Sequence, residues 1–213
     1  MKPRKRESAL LRMPVMIAAA FLAGCTCAGS LRPVASPETL TTVPQIEGTW
    51  LSKNADSADA VTVTRTAEKS YQLRWKEDNK DVDLIFDMSL VQMDKKLFFD
   101  AAFNHLETKQ GRETAYDLGV LPIHFLGRIW VEEKAMRIGL LKYEWLQQKV
   151  QDGQVKLPYL EHHAKDEDLI LFTAKAEDVR AFLRQYAEDQ EAFPDNMKFE
   201  KMPTQEGPTT PEP

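Results

Sequence analysis

The densest group of potential metal ligands in this sequence surrounds two adjacent histidines. His162 and His163 stand among the carboxylates of Glu161, Asp166, Glu167 and Asp168. A metal site needs side chains that converge on one point, typically from positions i and i+4 of a helix or from neighbouring strands. Adjacent residues of an extended segment point to opposite sides instead. The pattern therefore favours a solvated loop, and we predict no metal and no cofactor.

The other residues that could carry catalysis form no recognisable arrangement. His105 and His124 are isolated, and His124 stands between apolar residues, as a core or pocket histidine does. The sequence has no G-x-S-x-G, no H-E-x-x-H and no G-x-G-x-x-G motif. We therefore predict that the protein is not an enzyme.

One cysteine stands in a context that points to chemical modification. Cys25 follows the small residues Ala23 and Gly24, which end an apolar stretch over residues 13–23. Five basic residues precede this stretch, namely Lys2, Arg4, Lys5, Arg6 and Arg12. An apolar segment of about eleven residues after a basic one is typical of a secretory signal and too short to span a bilayer as a helix.

With these flanks, Leu22-Ala23-Gly24-Cys25 resembles the lipobox of bacterial lipoproteins. The resemblance implies a signal peptide over residues 1–24, cleavage between Gly24 and Cys25, and acyl chains on the sulfur and the new amino group of Cys25. Two or three such chains anchor a protein stably in a membrane. Thr26 stands where many inner-membrane lipoproteins carry Asp, which favours the outer membrane, on its periplasmic side or at the cell surface.

The mature chain is acidic. Without residues 1–24 it keeps 23 basic and 32 acidic residues, a formal charge of −9. Phosphate binding needs a basic face, so we predict no nucleic-acid partner.

The second cysteine is Cys27, and two cysteines are too few for a disulfide framework. It is either an incidental thiol of the tether or the site of a second acylation or an intermolecular disulfide.

Alternating apolar and polar residues predict a run of β-strands after residue 46. The apolar side chains occupy every second position at Val61 and Val63, at Tyr71, Leu73 and Trp75, and at Val82, Leu84, Phe86, Met88 and Leu90. Further strands are predicted at residues 97–99, 121–131, 136–140 and 169–172. The short polar turns between them predict an antiparallel meander.

Two helices are predicted beside these strands. The first covers about residues 142–150. The second follows Thr173, which is placed to cap its N-terminus. Its apolar stripe has the i, i+3, i+4, i+7 spacing of a buried face and consists of Val179, Phe182, Leu183 and Tyr186. We expect this stripe to pack against the sheet.

These patterns predict a mainly β protein, an antiparallel meander curled into a barrel or half-barrel with two helices, one of them near the C-terminus. Residues 46–200 form this single domain. Residues 25–45 hold the acylated cysteine and a segment rich in Thr, Ser, Ala and Pro, which predicts a flexible linker. Residues 201–213 are predicted to be a disordered, Pro-rich tail.

The first predicted strand opens with Gly48-Thr49-Trp50, which resembles the G-x-W start of lipocalin-like barrels. The resemblance implies that Trp50 packs across the closed end of a barrel, under a basic residue from a late strand. Arg128 and Arg137 are the candidates for that residue. The segment over residues 121–128 is also similar to uncharacterised bacterial lipoproteins that share this opening, and no activity comes with that likeness.

Two functions are compatible with these observations. The leading hypothesis is an envelope lipoprotein that binds a hydrophobic small molecule or lipid inside its barrel. The aromatic residues that would line the cavity, or simply fill a solid core, are Tyr71, Trp75, Phe86, Phe99, Phe125 and Trp130. The alternative is a structural or assembly lipoprotein that docks an envelope protein through a strand edge or a helix, without a small ligand.

Overall fold

The computed structural model describes residues 27–53, 58–78, 80–114, 116, 117, 123–164 and 167–203. They form one sheet of 13 strands, two α-helices and a 3₁₀ turn at Pro44–Ile46. The strands are β1 (Cys27–Ser30), β2 (Leu40–Thr41), β3 (Gly48–Ser52), β4 (Ala60–Ala67), β5 (Ser70–Lys76), β6 (Val82–Met93), β7 (Lys96–Thr108), β8 (Gly111–Thr114), β9 (His124–Val131), β10 (Ala135–Leu140), β11 (Tyr159–Ala164), β12 (Glu167–Phe172) and β13 (Met197–Lys201). The helices are α1 (Tyr143–Gln151) and α2 (Ala176–Gln185).

Eight of the strands close into an antiparallel barrel. Around the ring they follow the order β3, β4, β5, β6, β7, β9, β10 and β13, and β13 returns to β3. The pairing of β7 with β9 closes the ring and runs from Phe98 opposite Arg128 to Ala102 opposite His124. The predicted mainly β fold with two helices is therefore confirmed, and the barrel is closed.

Apolar residues occupy every second position of β4 and β5 because alternate side chains of a strand point into the barrel interior. Val63 lies opposite Leu73 and Val61 lies opposite Trp75, so these residues share the inner face. Val61, Val63 and Leu73 are buried in a core that fills this part of the barrel. Burying one such side chain stabilises the fold by about 1.5–3 kcal/mol.

A second core lies outside the barrel wall. Phe98 of β7 and Leu126 of β9 turn away from the interior and pack with Leu146 of α1 and with Val179 and Phe182 of α2. The predicted stripe of the second helix is thus a packing surface. Among the described residues, no helix has the length and apolar character needed to cross a membrane.

The predicted cap of the second helix is wrong. The residue at the N-cap of α2 is Lys175, and no side chain caps this end. Thr173 lies two residues earlier, where its backbone N–H donates to the carbonyl of Pro158 over 3.0 Å. This bond continues the pairing of β12 beyond its end, and the strand therefore holds Thr173 away from the helix.

The flexible linker predicted up to residue 45 is also wrong for residues 27–45. β1 pairs in parallel with β12, about 140 residues further along the chain, and antiparallel with β9. Val34 is buried, and its carbonyl accepts a 2.7 Å hydrogen bond from Arg180 of α2. The composition of this segment suggested a linker. Its pairing partners could not be recognised from the sequence, because they lie far from it along the chain.

The last strand of the barrel, β13, was not predicted. It lies between β10 and β3, and its residue Lys201 stands opposite Trp50. The domain therefore extends past residue 200, the predicted boundary. The other strands without a prediction are β1, β2, β8 and β11. The rest of the predicted tail, residues 204–213, lies outside the described residues.

Gly127 allows β7 and β9 to approach closely at the barrel closure. A Cβ atom there would stand 2.5 Å from the Phe99 ring and 2.6 Å from the carbonyl oxygen of Gly139. We expect Gly127→Ala to lower the free energy of unfolding by about 1–3 kcal/mol, the usual cost of overpacking. Urea unfolding of the purified chain measures this, with the exposed Ser70→Ala as the control. Equal midpoints for the two variants would contradict the close approach.

Candidate functional site

The barrel has a closed end, which its own side chains fill. There Trp50 is fully buried, and its Nε1 donates to the carbonyl of Ile46 in the 3₁₀ turn over 2.8 Å. Ile46 is fully buried as well. The backbone N–H of Val43 donates to the hydroxyl of Tyr71 over 3.0 Å, which fixes the turn across the barrel.

A basic residue of the last strand lies over Trp50, but it is neither of the two predicted candidates. Nζ of Lys201 stands 5.0 Å from the centre of the Trp50 ring and donates to the carbonyl of Gln45 over 2.8 Å. Arg128 and Arg137 instead lie against the Trp130 ring, on the outer face of the wall. The prediction was wrong because β13, which carries Lys201, had not been recognised.

At the other end of the barrel, which we call the open end, aromatic rings cover the inner wall. The centre of the Phe86 ring lies 5.8 Å from that of Phe103 and 6.1 Å from that of Phe125. The Trp75 and Phe199 rings meet edge to face at 6.0 Å. Edge-to-face pairs contribute about 0.5–1.5 kcal/mol beyond the burial of their area.

Three of these rings keep contact with solvent although they face the interior. Trp75, Phe86 and Phe125 are half-buried, whereas Trp50 and Tyr71 near the closed end are buried. An inward-facing ring meets water through the opening of the barrel or through a cavity that leads to it. The inner wall at the open end therefore carries partly exposed aromatic rings.

Charged residues near the open end include an ion-paired group on the outer face of the barrel, and a polar pocket beside the turn between β5 and β6 is lined by Lys76, Glu77, Asp78, Lys80 and Asp81. Arg74, on the outer face of β5, donates to Asp83 over 2.7 Å and to Glu107 over 2.6 Å. The hydrogen bond from Arg74 lowers the pKa of the Glu107 carboxyl. In the described part of the chain, the buried polar residues are Ser30, Asp100, His105 and Arg128, and their strand registers place all four outside the interior.

Five of the six aromatic residues predicted to line or fill the barrel face its interior, namely Tyr71, Trp75, Phe86, Phe99 and Phe125. The prediction is wrong for Trp130. This ring packs against the outer core, because Trp130 is one residue out of phase with the inward-facing Ile129. Phe103 and Phe199 were missed, although the alternation of β7 continues through Phe103.

A buried carboxylate on the outer face joins the N-terminal segment to the barrel closure. Oδ2 of Asp100 accepts the backbone N–H groups of Val34 over 2.6 Å and Ala35 over 3.2 Å. Its Oδ1 lies 2.6 Å from Nδ1 of His124. His124 is thus a partly buried histidine with an acidic partner. No local pattern indicates this partner, because Asp100 belongs to another strand.

Ser30 stands opposite His124 in the register of β1 and β9. Its hydroxyl donates to the carbonyl of Phe172 over 3.4 Å and accepts the N–H of Arg32 over 3.2 Å. Among the residues that the structure describes, no hydrogen bond joins Ser30 to His124. The arrangement therefore holds the β1 strand in place and provides no Ser–His–Asp relay.

Arg128 is a cation buried in the outer core. Its guanidinium lies 5.1 Å from the Phe98 ring centre and 4.9 Å from that of Trp130, and it donates to the carbonyl of Ala187. Burial lowers the pKa of the Arg128 guanidinium. Cation–π contacts and the bond to Ala187 thus connect the barrel wall to the end of α2.

The histidine pair lies on β11, an extended strand instead of the loop that the sequence favoured. Nδ1 of His163 stands 2.8 Å from Asp168 and its Nε2 stands 3.1 Å from Glu161. His162 is exposed on this strand. In the described part of the chain, which leaves out Asp166, no three potential ligands are grouped as a metal ion would need.

The lipobox-like residues Leu22, Ala23, Gly24 and Cys25 lie outside the described residues, so their role stays a prediction. The described chain begins at Cys27, the first residue of β1. A scan against protein-family models gives no match, and neither curated proteins nor solved structures match the chain significantly.

Removing the Asp100 carboxylate tests its role in holding the N-terminal segment. Asp100→Ala leaves the buried N–H of Val34 without its acceptor, at a cost of about 1–3 kcal/mol. We therefore expect a lower free energy of unfolding and faster amide exchange at Val34 and Ala35. The matched control is Asp87→Ala, which removes an exposed carboxylate that accepts from Asn104 over 2.8 Å. Equal effects of the two variants would contradict this role.

The His163 ion pairs predict a pH-dependent contribution to stability. The hydrogen bond to Asp168 raises the pKa of His163, with Glu161 adding to the effect. The stabilisation should therefore be fully present below the pKa of an unfolded histidine, about 6.5. It should be lost as the pH rises through the raised pKa of the folded state.

Unfolding midpoints of His163→Gln and wild type, measured in urea across this pH range, test the prediction. The variant should be the less stable protein in acid, and the difference should vanish in alkali. His162→Gln, at the exposed neighbour, is the control. A difference that does not change with pH would contradict the ion-pair explanation.

Proposed function

We propose that this protein is a lipoprotein of the bacterial cell envelope that binds an apolar ligand, such as a lipid acyl chain, at the open end of its barrel. Acyl chains on Cys25 would hold it on a membrane, and Thr26 favours the outer one. The lipobox-like sequence and the signal segment before it support the anchor.

The observation that carries ligand binding is the partial exposure of inward-facing rings at the open end. Trp75, Phe86 and Phe125 offer aromatic surface that a ligand would remove from water, at about 25 cal/mol per Å². The buried charged residues of the described chain lie outside the interior, so an apolar ligand would not desolvate an ion there.

One observation favours a second function, the docking of an envelope protein. β11 pairs with β12 alone among the described strands, and it exposes Tyr159 and Leu160. An exposed strand edge is a template for pairing with another chain. Such a role needs no small ligand.

Native mass spectrometry of the full chain, expressed in bacteria and purified in detergent micelles, separates the two functions. We expect a lipid-sized adduct that is lost on denaturation. Phe86→Asp should abolish the adduct because it places a carboxylate among the inward-facing rings. Thr64→Asp adds the same charge at an exposed position of β4 and should keep the adduct.

Circular dichroism of both variants establishes that each one is folded before the adducts are compared. A wild-type chain free of any adduct, with no thermal shift on adding fatty acid or phospholipid, contradicts ligand binding. That result would favour docking through β11. An adduct that survives unchanged in folded Phe86→Asp places the ligand elsewhere.

A further inference from the structure

The strand β11 leaves one of its edges open to solvent. In the described part of the chain it pairs with β12 alone and forms the end of the sheet. The side chains along it are exposed, namely those of Tyr159, Leu160, Glu161, His162 and His163. An open strand edge is a template for pairing with another chain, and the residues along it determine which chain fits.

The backbone groups that face the open edge belong to alternate residues of β11. The N–H of Thr173 donates to the carbonyl of Pro158 over 3.0 Å, so these two residues form a hydrogen-bonded pair at the end of the ladder with β12. Hydrogen-bonded and non-hydrogen-bonded pairs alternate along antiparallel strands. Every second residue of β11 therefore directs its N–H and C=O groups toward the open edge, namely Tyr159, Glu161 and His163.

Opposite charges lie side by side along this edge. Nδ1 of His163 stands 2.8 Å from Asp168 and its Nε2 stands 3.1 Å from Glu161. The hydrogen bond to Asp168 raises the pKa of His163, which favours the charged imidazolium. Within β11, a carboxylate at position 161 is thus followed by a cation at position 163, on the same face of the sheet.

This charge pattern is complementary to itself when two copies of β11 pair in antiparallel fashion. Two registers join the outward backbone groups over residues 159–163 or 160–164. In the first, Glu161 stands opposite the partner's Glu161, and like charges directly opposite each other are destabilising. In the second, Glu161 stands opposite the partner's His163, and the two-fold symmetry repeats this pair on the other side of the axis. Opposite charges therefore select the second register.

The other charges beside the edge are compatible with this register. Asp168 stands opposite His163 of its own copy, so each imidazolium lies between two carboxylates of different copies. Glu167 begins β12, and the turn before it contributes Lys165 and Asp166. Antiparallel pairing places the turns of the two copies at opposite ends of the joined sheet. The charges of one turn therefore do not face those of the other.

We propose that the open edge of β11 is a site of self-association, at which two copies of this chain join their sheets across a two-fold axis at His162. Each Glu161 exchanges both backbone hydrogen bonds with the partner's His163. Leu160, which is 47% exposed in the single chain, comes to stand opposite the partner's Ala164. The paired edge is short, so the dimer is weak and reversible. It requires neither a ligand at the open end nor the proposed anchor.

Disulfide cross-linking of the full chain in detergent micelles tests the site and its register. The parent chain carries Cys27→Ser, and each variant adds one cysteine at an exposed position, either His162→Cys or Leu160→Cys. In the proposed register, the Cα atoms of the two residues 162 lie about 4.5 Å apart, within the range of a disulfide. Those of the two residues 160 lie beyond about 7 Å, because they are offset along the strands. We expect mild oxidation to give at least about tenfold more cross-linked dimer at position 162.

Reversing the charge at position 161 tests the ion pairs across the axis. In the His162→Cys background, Glu161→Lys places a cation opposite the partner's His163 and should lower the cross-linked fraction at least about fivefold. Glu68→Lys makes the same change of charge in the turn between β4 and β5 and should leave the fraction unchanged. Circular dichroism establishes that every variant is folded before the fractions are compared.

Each possible result supports or overturns the proposal. Equal cross-linking at positions 160 and 162 indicates random encounters or another register and overturns it. Cross-linking at position 162 that folded Glu161→Lys does not weaken overturns the selection by charge. A chain that gives no more dimer than the Cys27→Ser parent overturns self-association and leaves the edge of β11 to an envelope protein.

Discussion

The pairing of β7 with β9 is the interaction on which the rest of the structure depends. It closes the barrel, since without it the ring of eight strands would end in two free edges. The closure is tight because Gly127 has no side chain to hold the Phe99 ring away. Its outer face carries Asp100 and His124, which fasten the N-terminal segment onto the same two strands.

The barrel wall separates an outer core from an inner core, and the inner core differs between the two ends of the barrel. On the outer face, apolar residues of β6, β7 and β9 pack against α1, α2 and the strands β1 and β12. Inside, Trp50, Ile46 and Tyr71 fill the closed end. At the open end, the rings of Trp75, Phe86 and Phe125 stay half-buried, although Trp75 and Phe86 pack against the inner core and against Leu84, Phe103 and Leu106.

Local sequence patterns predict most strands of the barrel, but they do not predict which strands pair to close it. The alternation in β4, β5 and β6 identifies strands because one face of each is buried. Nothing local indicates that β1 pairs with β12 or that Asp100 meets His124, because these partners are far apart in sequence.

Lys201 was missed as the cation over Trp50 since its short strand follows the last predicted helix. Five of the six candidate lining residues were identified correctly, because period two alone determines which face they share. Trp130 was misplaced because β9 is apolar on both faces.

The claim that the open end accepts an apolar ligand is tested most directly by crystallography with a brominated fatty acid. Anomalous scattering from 9,10-dibromostearate locates the bromine atoms without reference to the surrounding density. The account predicts bromine inside the barrel, in contact with Phe86 and Phe125. A barrel filled by its own side chains, with bromine found only on the outer surface, would contradict it.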